Sequence, residues 1–160
     1  MTTKADFSAE QWQALMQAPM AVGTLVTLSS PAIGDALKES VAVAQAIAKA
    51  AQSSGNSELM NAMASEFTNR ASAKEAQIKP EGRDPEAIKS QMLGIVRNAA
   101  EVIDSKASPE EAAELKQWLY GLGEAAANAA KEGDFLGIGG QKVNADEEAA
   151  LAEIKQALGM

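Results

Sequence analysis

The chain has neither cysteine nor histidine. The first absence excludes a disulfide framework and a thiolate zinc site. The two together remove the Ser-His-Asp triad, the Cys-His pair and the H-E-x-x-H metal helix. Aromatic residues make up only 4%, so a core must be built from Ala, Leu, Ile, Val and Met. β-branched and aromatic strand formers are sparse, which argues against sheet. The longest apolar run, Ala18 to Leu28, has 11 residues, well short of the ~20 a membrane-spanning helix needs. The opening MTTKADFSAE has no apolar h-region, so a secretory signal is not expected and a cytoplasmic location is.

What the chain does have is alanine, charge and clear helix punctuation. Hydrophobic residues are 46% of 160, enough for one core, and the length suits a single domain over 1–160. Alanine loses no side-chain entropy in a helix and so favours one. The net charge is −8, and most of the excess acid lies in residues 108–160, with 4 basic and 10 acidic side chains. An acidic chain repels phosphates and anionic lipid, so nucleic acid is not an expected partner.

The helix signals run along the whole chain. Ser8 with Gln11 reads as a capping box, and Phe7 with Trp12 as the hydrophobic staple beside it. A first helix is expected from about Ser8 to Gln17, kinked or ended by Pro19. Met20–Leu28 then reads as a second buried helix or a kinked continuation. Its β-branched content leaves a strand open as well. Ser30-Pro31 reads as cap and first turn of the next helix, whose apolar face is Ile33, Leu37, Val41, Ala44, Ile47 and Ala51. Gly55 suits its left-handed end. Ser57 caps a helix carrying Leu59, Met60, Met63 and Phe67, with Glu66–Arg70 and Glu75–Lys79 as outer ion pairs.

After the turn-rich stretch 79–86, Asp84-Pro85 starts a helix with Ile88, Met92, Ile95, Ala99 and Val102 on one face. Ser108-Pro109-Glu110-Glu111 starts another, with Ala112, Leu115, Leu119, Leu122, Ala126 and Ala129. The short connection predicts an antiparallel hairpin. Gly133 ends the second of these, and Asn144 with Glu147 caps a last helix facing inward with Leu151, Ile154 and Leu158. The expected fold is all-α, a single-domain antiparallel bundle of about five to six helices.

Candidate chemistry is thin. The glycine-rich stretch at 134–148, DFLGIGGQKVNADEE, fits neither phosphate pattern: Lys142 is followed by Val143, and a helix precedes it. It is expected to be a connector anchored by Phe135, Leu136 and Ile138. Asp146, Glu147, Glu148, Glu110 and Glu111 offer hard oxygen ligands for a divalent metal. They also sit in first helical turns, where the helix dipole favours acid without any ligand. Tyr120, Lys142 and the carboxylates are the remaining acid–base groups, and spacing pairs none of them. Met16, Met20, Met60, Met63 and Met92 fall on apolar faces, as core filler or as the walls of an apolar cavity.

The strings DSKASPEEAAELKQWL (104–119) and NADEEAALAEIKQALG (144–159) resemble the acidic helix starts of the tellurite-resistance TerB family, which is all-α and acidic. The resemblance implies a divalent-metal site at Asp104, Glu110 and Glu111, and more loosely at Asp146 and Glu147. The C-terminal segment also resembles the ends of uncharacterised bacterial all-α proteins, which imply no activity. The expected function is a non-enzymatic, cytoplasmic, bacterial-type helical module. It would act through a protein partner or through self-association as a homodimer, with no cofactor and no membrane span. The alternatives are a TerB-like stress-response domain binding a divalent metal, and a carrier of an apolar small molecule.

Overall fold

The computed structural model describes residues 1–29, 35–53, 55–69, 74, 76–131 and 145–160, with backbone only at 35–38, 130 and 131. It is an all-α helical bundle. Among the described residues, after a short 3₁₀ turn, Lys4–Asp6, come six helices: α1 (Ala9–Ser29), α2 (Asp35–Gln52), α3 (Glu58–Thr68), α4 (Pro85–Lys106), α5 (Pro109–Lys131) and α6 (Ala145–Ala157). One hydrophobic cluster draws side chains from all six.

The entry into α1 follows the sequence signals. The Ser8 N–H donates to Gln11 Oε1 at 3.0 Å, and the Gln11 N–H donates to Ser8 Oγ at 3.2 Å. The Phe7 and Trp12 rings pack with centroids 5.9 Å apart. The Trp12 indole N–H donates to Glu66 Oε2 at 2.9 Å, which fastens α1 to α3. Glu66 also pairs with Lys4, while Arg70, its expected partner, lies outside the described residues, as does Glu75.

α1 does not stop at Pro19. It runs unbroken to Ser29, so Met20–Leu28 is neither a separate helix nor a strand. An interior proline costs ~3 kcal/mol through its lost hydrogen bond and its ring clash. Leu15, Val22, Leu25 and Val26 are all buried along the same helix, at ~1.5–3 kcal/mol each. Their burial outweighs the local penalty, and packing decides the boundary.

α2 keeps Ile47 and Ala51 of the expected face against the core and turns the rest of that face's described part outward. Val41 is 48% exposed and Ala44 is exposed. The buried side is Glu39, Val43, Ile47 and Ala50. The helix therefore has two apolar stripes, and the bundle covers the one containing Val43. The caps expected at Ser30 and Pro31, and the side chains of Ile33 and Leu37, lie outside the described residues. Gly55, at φ +106°, takes the left-handed conformation anticipated after α2. Ser57 Oγ accepts the Met60 N–H at 3.2 Å, and the Ser57 N–H donates to the Glu114 carboxylate at 3.0 Å.

Asp84 caps α4 by accepting the Ala87 N–H at 3.0 Å. α4 and α5 are joined only by Ala107 and Ser108, yet they are not each other's main partners. α4 packs chiefly on α1, and α5 chiefly on α2 and α1. The pairing inferred from the short connection is thus a minor contact: both helices pack on α1, and α5 packs on α2 as well. α5 passes close to α1 and α6 at Gly123, where a Cβ would meet Leu151 Cδ2 at 3.1 Å and Val22 Cγ1 at 3.3 Å. α6 buries Ile154 and Leu158 fully and Leu151 in part. It ends in a Schellman turn: Gly159 is at φ +70°, its N–H donates to Gln156 O at 3.1 Å, and the Met160 N–H donates to Lys155 O at 3.2 Å. Gly133, the stretch 134–144 with Phe135, Leu136, Ile138 and Lys142, and the Asn144 cap lie outside the described residues.

Two helix-interior glycines test this packing. Gly94 is exposed, and a Cβ there meets nothing within 4 Å. Gly94→Ala is expected to raise the unfolding free energy by ~0.5–1 kcal/mol. Gly123→Ala carries the same backbone gain but overpacks the α1–α5–α6 contact, so it is expected to lower stability by about 1 kcal/mol. Urea unfolding followed by tryptophan fluorescence reads both. Equal stabilisation by the two would show that α5 does not press on α1 at this point.

Candidate functional site

The five expected metal ligands fall into two separate places. At the junction of α4 and α5, Ser108 and Glu111 form a capping box. The Glu111 N–H donates to Ser108 Oγ at 3.3 Å, and the Ser108 N–H donates to Glu111 Oε2 at 3.1 Å. The same carboxylate holds the start of the chain: the Thr2 N–H donates to Oε1 at 2.9 Å and the Thr2 hydroxyl to Oε2 at 2.8 Å. These bonds, the Thr2 backbone bond foremost and then its hydroxyl and the Ser108 N–H, hold the Glu111 pKa down at about 2. Beside it, Asp104 receives the Lys116 ammonium at 2.7 Å on both carboxylate oxygens. Glu110 is exposed.

Asp146 and Glu147 lie elsewhere. Asp146 is exposed and lines a small recess with Pro85, Glu86 and Lys89 at the start of α4, while Glu147 is buried. Lys89 and Asp104 are fifteen residues apart on α4, about 22 Å at the helical rise, so the two acid groups sit toward opposite ends of that helix. Among the described residues no three Asp or Glu side chains come together in a way that could hold a metal ion. Two of the three carboxylates at the junction, Asp104 and Glu111, are already matched by donors from Lys116, Thr2 and Ser108.

The concave surface lies instead between α1, α2 and α3. A cleft of about 430 Å³ opens there, walled by Pro19, Met20, Gly23, Thr24, Thr27 and Leu28 of α1. Ser40, Val43, Ala44, Ile47 and Ala48 of α2 face them, and Phe67 and Thr68 of α3 form the remaining side. This volume is within the ~300–1,000 Å³ usual for small-molecule sites. Small residues make the room. A Cβ on Gly23 would lie 3.5 Å from Val43 Cγ2, so the floor is closed by a near approach of α1 and α2.

Among the described residues no charged side chain lines the cleft, in a protein whose net charge is −8. Two of its hydroxyls are already committed to their own helices: Thr24 donates to Met20 O at 2.8 Å, and Thr68 donates to Ser65 O at 2.6 Å. The walls can therefore offer apolar contact and little directional bonding. Among the described residues none of the acid–base candidates is there. Tyr120 lies instead under the Lys155 ammonium, 6.0 Å from the ring centroid.

Sequence reasoning placed Met16, Met60, Met63 and Met92 correctly on buried faces, but Met20 is 46% exposed on the cleft wall. The readable signal for the cleft was the run of small and hydroxyl residues Gly23, Thr24 and Thr27 opposite Ala44 and Ala48. Comparison with protein families, curated proteins and solved structures finds no match. No helix among the described residues is long and apolar enough to cross a membrane.

The Glu111 contacts set a pH dependence. Because its folded pKa lies below the ordinary 4.5, its stabilisation is complete above about pH 4.5 and is lost as the pH falls toward 2. Glu111→Gln should lower the unfolding free energy at pH 7 by ~1–3 kcal/mol, the size of hydrogen bonds to a charged group. The difference between the two proteins should shrink between pH 4.5 and 2 in urea titrations. A difference that stays constant down to pH 2 would mean that the carboxylate charge plays no part.

Proposed function

We propose that this chain is a non-enzymatic helical binding module that receives an uncharged, apolar small molecule in the α1–α2–α3 cleft. The observation that carries the reading is a cleft of about 430 Å³ with no charged side chain among the described residues of its walls. Burial of such a ligand is driven by apolar area, at about 0.8 kcal/mol per CH₂. A charged ligand would have to be desolvated there without a counter-charge. Its described lining residues also include no carboxylate, lysine or tyrosine, which supports binding rather than acid–base chemistry.

Along α1 the cleft runs from Pro19 to Leu28, about 14 Å at the helical rise, a length suited to a medium alkyl chain. The test is calorimetric titration with 1-decanol, decanoate and decyltrimethylammonium. A decyl chain gives ~8 kcal/mol gross, more than the ~4 kcal/mol at the low end of the association cost, so the alcohol should bind. The two ions should bind at least tenfold more weakly. Ala48→Phe, which fills the cleft, should abolish decanol binding. Equal binding of all three probes, or decanol binding that survives Ala48→Phe, would reject the site.

A second reading, contact with a protein partner or a second copy of the chain, is favoured by one further observation. Val41, 48% exposed, extends the apolar surface of α2 beyond the cleft walls. Sedimentation across a range of concentrations, with Val41→Glu as the control, separates self-association from small-molecule binding.

A further inference from the structure

The methionines divide by exposure. Met16, Met60, Met63 and Met92 are buried at 7% or less, while Met1 and Met160 are exposed at the two ends. Met20 is the one internal methionine with a large exposed surface, 46%, and it forms part of the cleft wall. A thioether there is accessible to a dissolved oxidant and at the same time in contact with whatever occupies the cleft. Its neighbours along that wall, Pro19, Gly23 and Thr24, include no charged group.

We propose that Met20 is an oxidation-sensitive residue controlling the cleft, a regulation that rests on the cleft being the binding site. The oxidant is a hydroperoxide. The Met20 sulfur attacks the terminal peroxide oxygen; an S–O bond forms as the O–O bond breaks, and the departing hydroxide is protonated to water. Sulfur loses two electrons and the peroxide gains them, so hydrogen peroxide and the thioether give one sulfoxide and one water. The sulfoxide is polar and a strong hydrogen-bond acceptor. Hydrated at the rim, it must shed water when an apolar molecule enters, and the described cleft walls bring no charged donor to compensate. The modification therefore converts part of an apolar wall into a polar one without touching the core. It is reversible by methionine sulfoxide reductases.

The experiment treats the intact protein with hydrogen peroxide, maps sulfoxides by peptide mass spectrometry against time, and titrates 1-decanol before and after. Met20, with Met1 and Met160, should oxidise ahead of Met16, Met60, Met63 and Met92. Decanol affinity should fall at least tenfold and return after reduction by methionine sulfoxide reductases A and B. Met20→Leu should show the same decanol affinity before and after peroxide treatment. Oxidation of Met20 no faster than that of the buried four, or an unchanged affinity after its conversion, overturns the inference and leaves the cleft reading intact. Native protein that fails to bind decanol at all overturns both.

Discussion

α1 is the helix around which the others are arranged, and its burial is the condition they share. α4 lies along one of its sides and α5, α6 and α2 along others, so its small residues Ala14, Ala18 and Ala21 are enclosed. A helix covered from so many directions has no wide polar face, which is why this one carries a single acid in its first turn and no basic residue in its last. Its alanines permit close approach, and its larger side chains fill the spaces between neighbouring helices. Pro19 survives within it because the energy comes from tertiary contacts and not from an unbroken hydrogen-bond ladder. The glycine at 123 belongs to the same constraint, since a side chain there would press on Val22.

The polar groups serve mostly to lock helix ends to one another. Glu111 completes its own cap and also holds Thr2. Glu66 joins Trp12 and Lys4 from a third helix. Glu114 reaches across to the start of α3. A carboxylate at a helix start can satisfy local donors and then accept from a neighbouring segment, so a single residue supports two connections. Of these three, Glu111 is one of the acids that suggested a metal site, and its oxygens accept from Thr2 and Ser108. Asp104 follows the same logic through Lys116.

The cleft arises from the way α2 meets α1. The bundle buries the Val43 and Ile47 side of α2 and leaves Val41 and Ala44 outward. Because Gly23 lets the two helices approach at Val43, the flanking residues Met20, Thr24, Thr27 and Leu28 diverge from Ala44 and Ala48 around a trough. Apolar surface left exposed at such a place is costly unless something covers it. Among the described residues the walls carry no charge, which separates this region from the acid-rich helix starts elsewhere in the molecule.

Local chemistry alone determined the helices that begin with strong signals. Ser8, Ser57, Asp84 and Ser108 each cap as their side chains dictate, because a hydroxyl or carboxylate facing orphan N–H groups needs only its own backbone. The buried faces of α3, α4, α5 and α6 were legible for a similar reason: large apolar side chains recur at spacings of three and four with charge between them. Helix identity for Met20–Leu28 and the orientation of α2 were not. Alanine makes one face of α2 nearly as apolar as the next, so periodicity offered two stripes, and only contact with α5 and α1 chose between them. The partners of α4 and α5 were likewise decided in three dimensions, since a two-residue connection limits their distance at one end alone. The site was the least legible part. The acids that stood out in the sequence are held apart by the length of α4, whereas the cleft is built from small and uncharged residues on three helices that no local pattern joins.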